Sequence, residues 1–329
     1  MKILVPFFAV IALVLLAVIG TAANLHFLFG AVIPYAALFI FIFGVIYRVL
    51  KWAKSPVPFC IPTTCGQQKS LPWIKQNKLE NPSGTLHVIG RMALEVLTFR
   101  SLFRNIKGEL RDGSKFVYGS DKWLWLGGIA FHYAFLIVLL RHIRLFAEPT
   151  PAYLYILEAF DGFLQIGIPR LFATGVVLLA AAAFLFLRRI YVPQVRYISL
   201  AADYFPLFLI MGIAATGIIM RYFFKTDIVG VKELAMGLVG FNPVIPKSVG
   251  SIFYVHLLLV SALFAYFPFS KLMHMGGVFL SPTRNMVANS REFRHVNPWN
   301  YPVKVHTYEE YEEDFREKMK MAEIPVEKE

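Results

Sequence analysis

The sequence predicts an all-α integral membrane protein of about six transmembrane helices, and three observations carry that expectation. The chain of 329 residues is 57% hydrophobic and only 16% charged, too apolar for a water-soluble domain of this length. Six apolar runs, at about 3–23, 30–50, 123–145, 171–191, 199–223 and 250–270, approach the roughly 20 residues that a helix needs to cross a bilayer. No series of segments with alternating polarity over about ten residues occurs, so a transmembrane β-barrel is excluded.

The first run, MKILVPFFAVIALVLLAVIGTAANL, has a basic start, an apolar stretch and small residues at Ala22 and Ala23. That plan resembles a signal peptide, and the run is read here as a retained first helix. With the second run it makes residues 1–50 a pair of N-terminal spans. Residues 51–122 then form a long loop in which twelve Lys/Arg face five Asp/Glu, and the link RRIYVPQVR adds Arg188, Arg189 and Arg196 with no acid. The positive-inside rule places both segments in the cytoplasm. Residues 24–30 carry no charge, and residues 144–170 hold Glu148, Glu158 and Asp161 against Arg144 and Arg170. The mildly basic segment 221–248 argues slightly the other way. Six spans with both termini in the cytoplasm satisfy most of this pattern.

Within the loop, GTLHVIGRMALEVLTFRSLFRNIKGEL reads as a basic amphipathic helix. Ile89, Ala93, Val96, Phe99 and Phe103 fall to one side, and Arg91, Glu95, Arg100 and Arg104 lie elsewhere. Such a helix rests among lipid headgroups or forms a docking face. His87 at its start is expected to be interfacial. Residues 281–329 are polar and form a cytoplasmic tail, whose segment HTYEEYEEDFREKMKMAEIPVEKE suits contact with a soluble partner. The two cysteines, Cys60 and Cys65, cannot alone make a four-ligand zinc or iron–sulfur site. In a cytoplasmic loop they are free thiols, or mark a surface that meets a redox partner. The chain has no phosphate-cradling glycine loop, nucleophile elbow or internal repeat, and its +12 charge belongs mainly to cytoplasmic loops, without need of nucleic acid.

Ionisable groups inside spans are costly and mark function. Of eight histidines, His26, His87, His295 and His306 fall in links or the tail. His132 and His142 lie in the third span, His256 in the sixth and His274 just beyond it. One such histidine is as readily a satisfied core residue as a ligand; two pairs on two helices favour ligands. With a rise of 1.5 Å per residue, His132 and His142 stand about 15 Å apart along the axis, which suits two cofactors stacked across a core of about 30 Å. The third and sixth spans run antiparallel, so His132 pairs with His274 on the inner side and His142 with His256 on the outer side. Each pair can clamp one haem iron, and the lack of CxxCH makes the haem b-type. The interval from His256 to His274 corresponds to about 27 Å of straight helix, so a break near Pro268 is expected to shorten it.

Histidines ten and eighteen residues apart in two helices resemble the dihaem cytochrome b (gamma) subunit of respiratory nitrate reductase, over roughly 120–280. SPVPFCIPTTCGQQKSLPWIKQNKLENP and GRMALEVLTFRSLFRNIKGELRDG resemble the membrane cytochrome family of the DsrMKJOP complex and of the Hdr-like menaquinol-oxidising enzyme, over nearly the whole chain. The resemblance implies a dihaem core of four or five helices at 123–280 with an extra N-terminal helix, two haems b, and menaquinol or menaquinone as substrate. It also implies a cytoplasmic Hdr-like (DsrK-like) iron–sulfur subunit, a periplasmic multihaem cytochrome c (DsrJ-like), a periplasmic iron–sulfur protein (DsrO-like) and a second membrane subunit (DsrP-like).

The expected function is electron exchange between menaquinol and the iron–sulfur subunit, linked to sulfite or sulfate reduction, in a cell membrane. Glu158 and Asp161 are the candidate quinol proton acceptors, or else plain polar residues of the outer link. Arg141 and Arg144 are candidate partners of haem propionates, and Arg196 and Arg221 are weaker ones. Asp203 is either helix-start polarity or an internal hydrogen-bond acceptor. The rival expectation is a haem-free proton or ion path or membrane anchor lined by the histidines. The apolar neighbours of His132 and His142, among them Phe131, Phe135 and Leu136, argue against a wet path.

Overall fold

The computed structural model describes residues 1–55, 57, 60–61, 66–113, 115–164, 167–291 and 305–328. Its helices are α1 (Leu4–Ala22), α2 (Ile33–Ala53, entered through a π-turn at Leu28–Val32), α3 (Thr85–Thr98), α4 (Arg100–Phe103), α5 (Lys122–His142), α6 (Ala152–Asp161), α7 (Ala173–Tyr191), α8 (Pro193–Ile198), α9 (Ala201–Tyr222), α10 (Ile228–Val239), α11 (Ser251–Tyr266), α12 (His274–Gly277) and α13 (Tyr308–Met321). Strands β1 (Ile106–Arg111) and β2 (Lys115–Ser120) form an antiparallel hairpin in the loop, with Ile106 opposite Ser120. Six helices are long and apolar enough to cross a membrane, at Leu4–Ala22, Leu28–Ala53, Lys122–Leu145, Ala173–Tyr191, Ala201–Tyr222 and Ser251–Phe269. This is an all-α, multi-pass membrane protein, as the composition predicts.

The spans pack in a row, α5 on α7, α7 on α9 and α9 on α11, with α1 against α9 and α11 and α2 against α11. The two ends of the row, α5 and α11, do not pack closely on each other. Leu209, Tyr254 and Leu259 are wholly buried where α1, α9 and α11 meet, and Tyr204 is buried against α7, edge-on to Phe186. In α9, Pro206 has no N–H for the carbonyl of Ala202, and the hydroxyl of Tyr266 on α11 donates to it at 3.3 Å. A backbone group in a span needs such a partner inside the protein.

The sixth span ends as the expected break requires. α11 stops at Tyr266, and short 3₁₀ turns at Phe267–Phe269 and Lys271–Met273 lead into α12. α2 clamps this break. Gly44 has no side chain where a Cβ would stand 2.6 Å from the Pro268 ring, and Arg48 Nε donates to the Pro268 carbonyl at 3.1 Å. Lys271 pairs with Asp203 at the start of α9 at 2.7 Å. Asp203 also accepts from the Leu200 amide at 3.0 Å, so it serves both roles expected of it.

Three elements depart from the sequence reading. The amphipathic helix ends at Thr98 because Phe99 turns left-handed (φ 50°), and β1 takes the residues from Ile106. Asp112 and Gly113 both hold positive φ (47° and 84°) at the hairpin turn, the conformation that Asp-Gly favours. Helices α6 and α10 form in links to which the sequence reading assigned no element, and Asp227 caps α10, accepting from the Val229 amide at 3.0 Å.

Candidate functional site

The structure brings His132 and His142 of α5 against the two histidines that follow α9. The ring centroids of His132 and His274 are 5.9 Å apart with planes at 85°, and those of His142 and His256 are 6.4 Å apart with planes at 10°. His132, His142 and His274 are exposed and His256 is half-buried, so the rings border open space at the two ends of the helix row.

Hydrogen bonds fix the tautomer of each ring. His132 Nδ1 meets the Gly128 carbonyl at 2.7 Å, His142 Nδ1 the Val138 carbonyl at 2.7 Å and His274 Nδ1 the Lys271 carbonyl at 2.8 Å. A carbonyl only accepts, so each Nδ1 carries the proton. His256 Nδ1 meets Thr216 Oγ1 of α9 at 2.9 Å. That hydroxyl lies 2.8 Å from the Gly212 carbonyl and 3.0 Å from that of Ile213. Its one proton goes to a carbonyl, and its oxygen accepts from His256. All four rings therefore keep the Nε2 lone pair, the arrangement of an oriented metal ligand.

The spacing suits a shared atom. An ion bound by two facing imidazoles at about 2.0–2.1 Å puts their centroids about 6 Å apart. Among the described residues no group of three or more His, Cys, Asp or Glu could hold a metal ion. Two imidazoles on opposite sides leave the remaining positions to a non-protein ligand, which is the ligation of a bis-histidine haem and not of structural zinc.

The loop reaches one ring of the first pair. Tyr133 donates to the Leu97 carbonyl and Trp125 Nε1 to the Thr98 carbonyl, each at 2.8 Å, satisfying the free end of α3. The left-handed turn at Phe99 then lays its ring edge-on to His132 at 5.0 Å, with Phe131 at 5.1 Å. The second pair has a charged neighbourhood. Arg141 and Arg221 place their guanidinium carbons 3.9 and 4.1 Å from the centroid of the Phe172 ring. Each has a buried Nε without a partner.

The candidate acids and arginines turn out to be one another's partners. Asp161, buried, accepts from the Thr174 amide and hydroxyl at 2.7 Å each and pairs with Arg141 at 3.1 Å. Glu158 pairs with Arg144 at 2.5 Å. Arg141 thus has an internal counter-charge where a propionate was expected to supply one. Thr216 and Phe172 carried no signal in the sequence beyond their residue type, and Phe99 was marked only as part of an apolar helix side.

Two further histidines have other partners. His26 lies edge-on to Tyr254 at 5.1 Å, and His306 sits 3.9 Å from Asp314 in the tail. Cys60 is buried beside Arg91, and burial raises its thiol pKa, against the pull of that guanidinium, so it is not a poised thiolate. Cys65 and His295 lie outside the described residues. Arg91 is buried as well, and Glu95 reaches Arg284 at 2.9 Å. The polar face of α3 therefore turns inward while Leu86, Ile89 and Leu97 are exposed.

Comparison with known proteins adds to this geometry. Residues 93–290 match the nitrate reductase gamma subunit family. A protein of Archaeoglobus fulgidus described as an Hdr-like menaquinol oxidoreductase cytochrome b-like subunit is 46% identical over 280 residues, covering 83% of each chain. One of Archaeoglobus profundus with the same description is 42% identical over 275 residues, covering 82% of this chain and 81% of the relative.

Proposed function

We propose a function for a chain that belongs to the nitrate reductase gamma subunit family and stands with the cytochrome b-like subunits of Hdr-like menaquinol oxidoreductases: it is the dihaem membrane cytochrome b of a menaquinol-oxidising respiratory complex. It exchanges electrons between menaquinol or menaquinone and a cytoplasmic, DsrK-like iron–sulfur subunit linked to sulfite or sulfate reduction. The observation that supports this reading most is the pair of facing imidazole pairs, each ring with Nδ1–H engaged and Nε2 free.

In this reading His132 and His274 hold an inner haem b, and His142 and His256 an outer one. Residues 123–280 form the core. The loop at 51–122 and the tail at 281–329 face the cytoplasm, as do both termini, and form the docking side. DsrJ-like, DsrO-like and DsrP-like subunits complete the assembly.

When bound, the haems supply one-electron carriers that can take the electrons of a quinol singly. The chain's own residues orient and insulate. The Nδ1 hydrogen bonds hold each ring and raise its basicity. Phe99 and Phe131 pack edge-on against His132 and restrict its ring. The free Nε atoms of Arg141 and Arg221 receive an anionic group of the outer cofactor, a role in which Arg221 joins Arg141, while Arg144 serves Glu158. Glu158, with Arg144 beside it, is better placed to take a quinol proton than Asp161, which has three donors.

Anaerobic addition of a reduced naphthoquinol to the oxidised, purified complex tests this. The b-type absorbance of the reduced form should grow, more slowly in Glu158→Gln. Haem that is present but not reduced by the quinol would contradict the menaquinol assignment.

A further inference from the structure

Three of the four imidazoles give their Nδ1 proton to a carbonyl three or four residues earlier in the same chain segment: Gly128, Val138 and Lys271. His256 differs. Its Nδ1 proton goes at 2.9 Å to the hydroxyl of Thr216 on the neighbouring helix α9. That hydroxyl is locked by its own bond to the Gly212 or Ile213 carbonyl, so it faces His256 as an acceptor and cannot rotate away without losing a buried hydrogen bond.

We propose that Thr216 is a positioning residue that sets the redox potential of the iron held by His142 and His256, through the hydrogen bond that it accepts from His256 Nδ1. The inference rests on the haem reading above. A hydrogen bond accepted from Nδ1–H leaves more negative charge on the imidazole and makes Nε2 a stronger donor. A stronger donor favours the ferric ion, which carries one positive charge more than the ferrous ion, and so holds the midpoint potential down. The other three rings depend on backbone acceptors that no side-chain substitution removes. By way of the imidazole hydrogen bonds, one side chain can tune the potential of the His142–His256 centre and none can tune that of the His132–His274 centre.

The same hydrogen bond steadies the ring. Thr216 reaches across from α9, so it ties the ligand on α11 to the helix beside it. A valine in its place keeps the branched shape and removes the hydroxyl acceptor, leaving the N–H only the Ile213 carbonyl, which also lies within its reach. A serine keeps the acceptor and removes only a methyl group.

The test is a potentiometric titration of the purified full-length protein, followed by visible and low-temperature paramagnetic resonance spectra, on the native chain, Thr216→Val and Thr216→Ser. We expect two b-type centres in all three. In Thr216→Val one midpoint should rise, with a changed resonance from that centre alone, and in Thr216→Ser both should stay at native values. If Thr216→Val retains too little haem to titrate, Thr216→Cys, whose sulfur is a weak acceptor, should show the same upward shift. Two haems with unmoved midpoints in Thr216→Val would overturn the role of Thr216 and leave the haem reading intact. An equal shift in Thr216→Ser would also overturn it, because packing would then be the cause. Absence of haem from the native protein would overturn both.

Discussion

The two histidine pairs are built differently. His142 is the last residue of the long helix α5, before a 3₁₀ turn at Ile143–Leu145, and His256 lies inside α11, with their ring planes at 10°. His132 faces a residue beyond the end of a span: His274 opens the four-residue helix α12 after two 3₁₀ turns, and the planes cross at 85°. Both ligands of the one pair belong to spanning helices, whereas the other pair depends on a break that neighbouring elements must hold in place. Gly44 and Arg48 of α2 and Asp203 of α9 supply that hold. The second span, α2, therefore has a structural task at one pair, which gives the difference a consequence that can be measured.

The largest effect on cofactor content should come from closing the space at Gly44. A side chain there meets the Pro268 ring at 2.6 Å from its Cβ, so Gly44→Leu should displace the break and remove the cofactor of the His132–His274 pair alone. Overpacking of this kind costs about 1–3 kcal/mol in general. Haem content and the spectrum of the remaining centre would check it; loss of both centres, or of neither, would break the contrast.

Next comes the charge beside the other pair. The Arg141–Asp161 pair is buried, with side chains 11% and 2% exposed, and removing one partner of a buried pair costs about 3–5 kcal/mol. Asp161→Asn should therefore lower the thermal midpoint well below that of the native protein. Glu158→Gln, which breaks a pair whose arginine is 42% exposed, should cost only about 0–1 kcal/mol. Thermal unfolding of the two variants side by side decides whether burial sets this order.

The smallest effect to resolve is spectroscopic. In a ferric bis-imidazole centre, crossed ring planes donate almost equally to the two metal π orbitals, and parallel planes donate unequally. The 85° and 10° arrangements should give two low-spin resonances, a strongly anisotropic one from His132–His274 and a more rhombic one from His142–His256. Two identical resonances would mean that the ring planes do not differ when the cofactors are bound.

Much of this was legible from hydropathy and spacing. Apolar runs of bilayer length mark the six spans to within a few residues at most ends, because the bilayer sets one length for all of them. The antiparallel run of the third and sixth spans also puts His132 opposite His274 and His142 opposite His256, as observed, and Pro268 marks the break. What stayed hidden depends on chain segments meeting. Asp161 and Arg141 lie twenty residues apart, and only the fold brings them together. Thr216 is one hydroxyl in an apolar helix, indistinguishable in sequence from the other small polar residues of the spans. α6 and α10, at 10 and 12 residues, are too short for a window tuned to spans. The hairpin did leave a sign, Asp112–Gly113 between β-prone segments, but the helical pattern before it was carried too far.

The most direct measurement is a dithionite-reduced minus oxidised spectrum with a pyridine haemochrome count on the purified protein, beside His142→Ala and His274→Ala. The expected result is two haems b per chain, each substitution removing one and leaving the other. A native chain without b-type haem would contradict the account, and the facing imidazoles would then have to serve a haem-free proton or ion path.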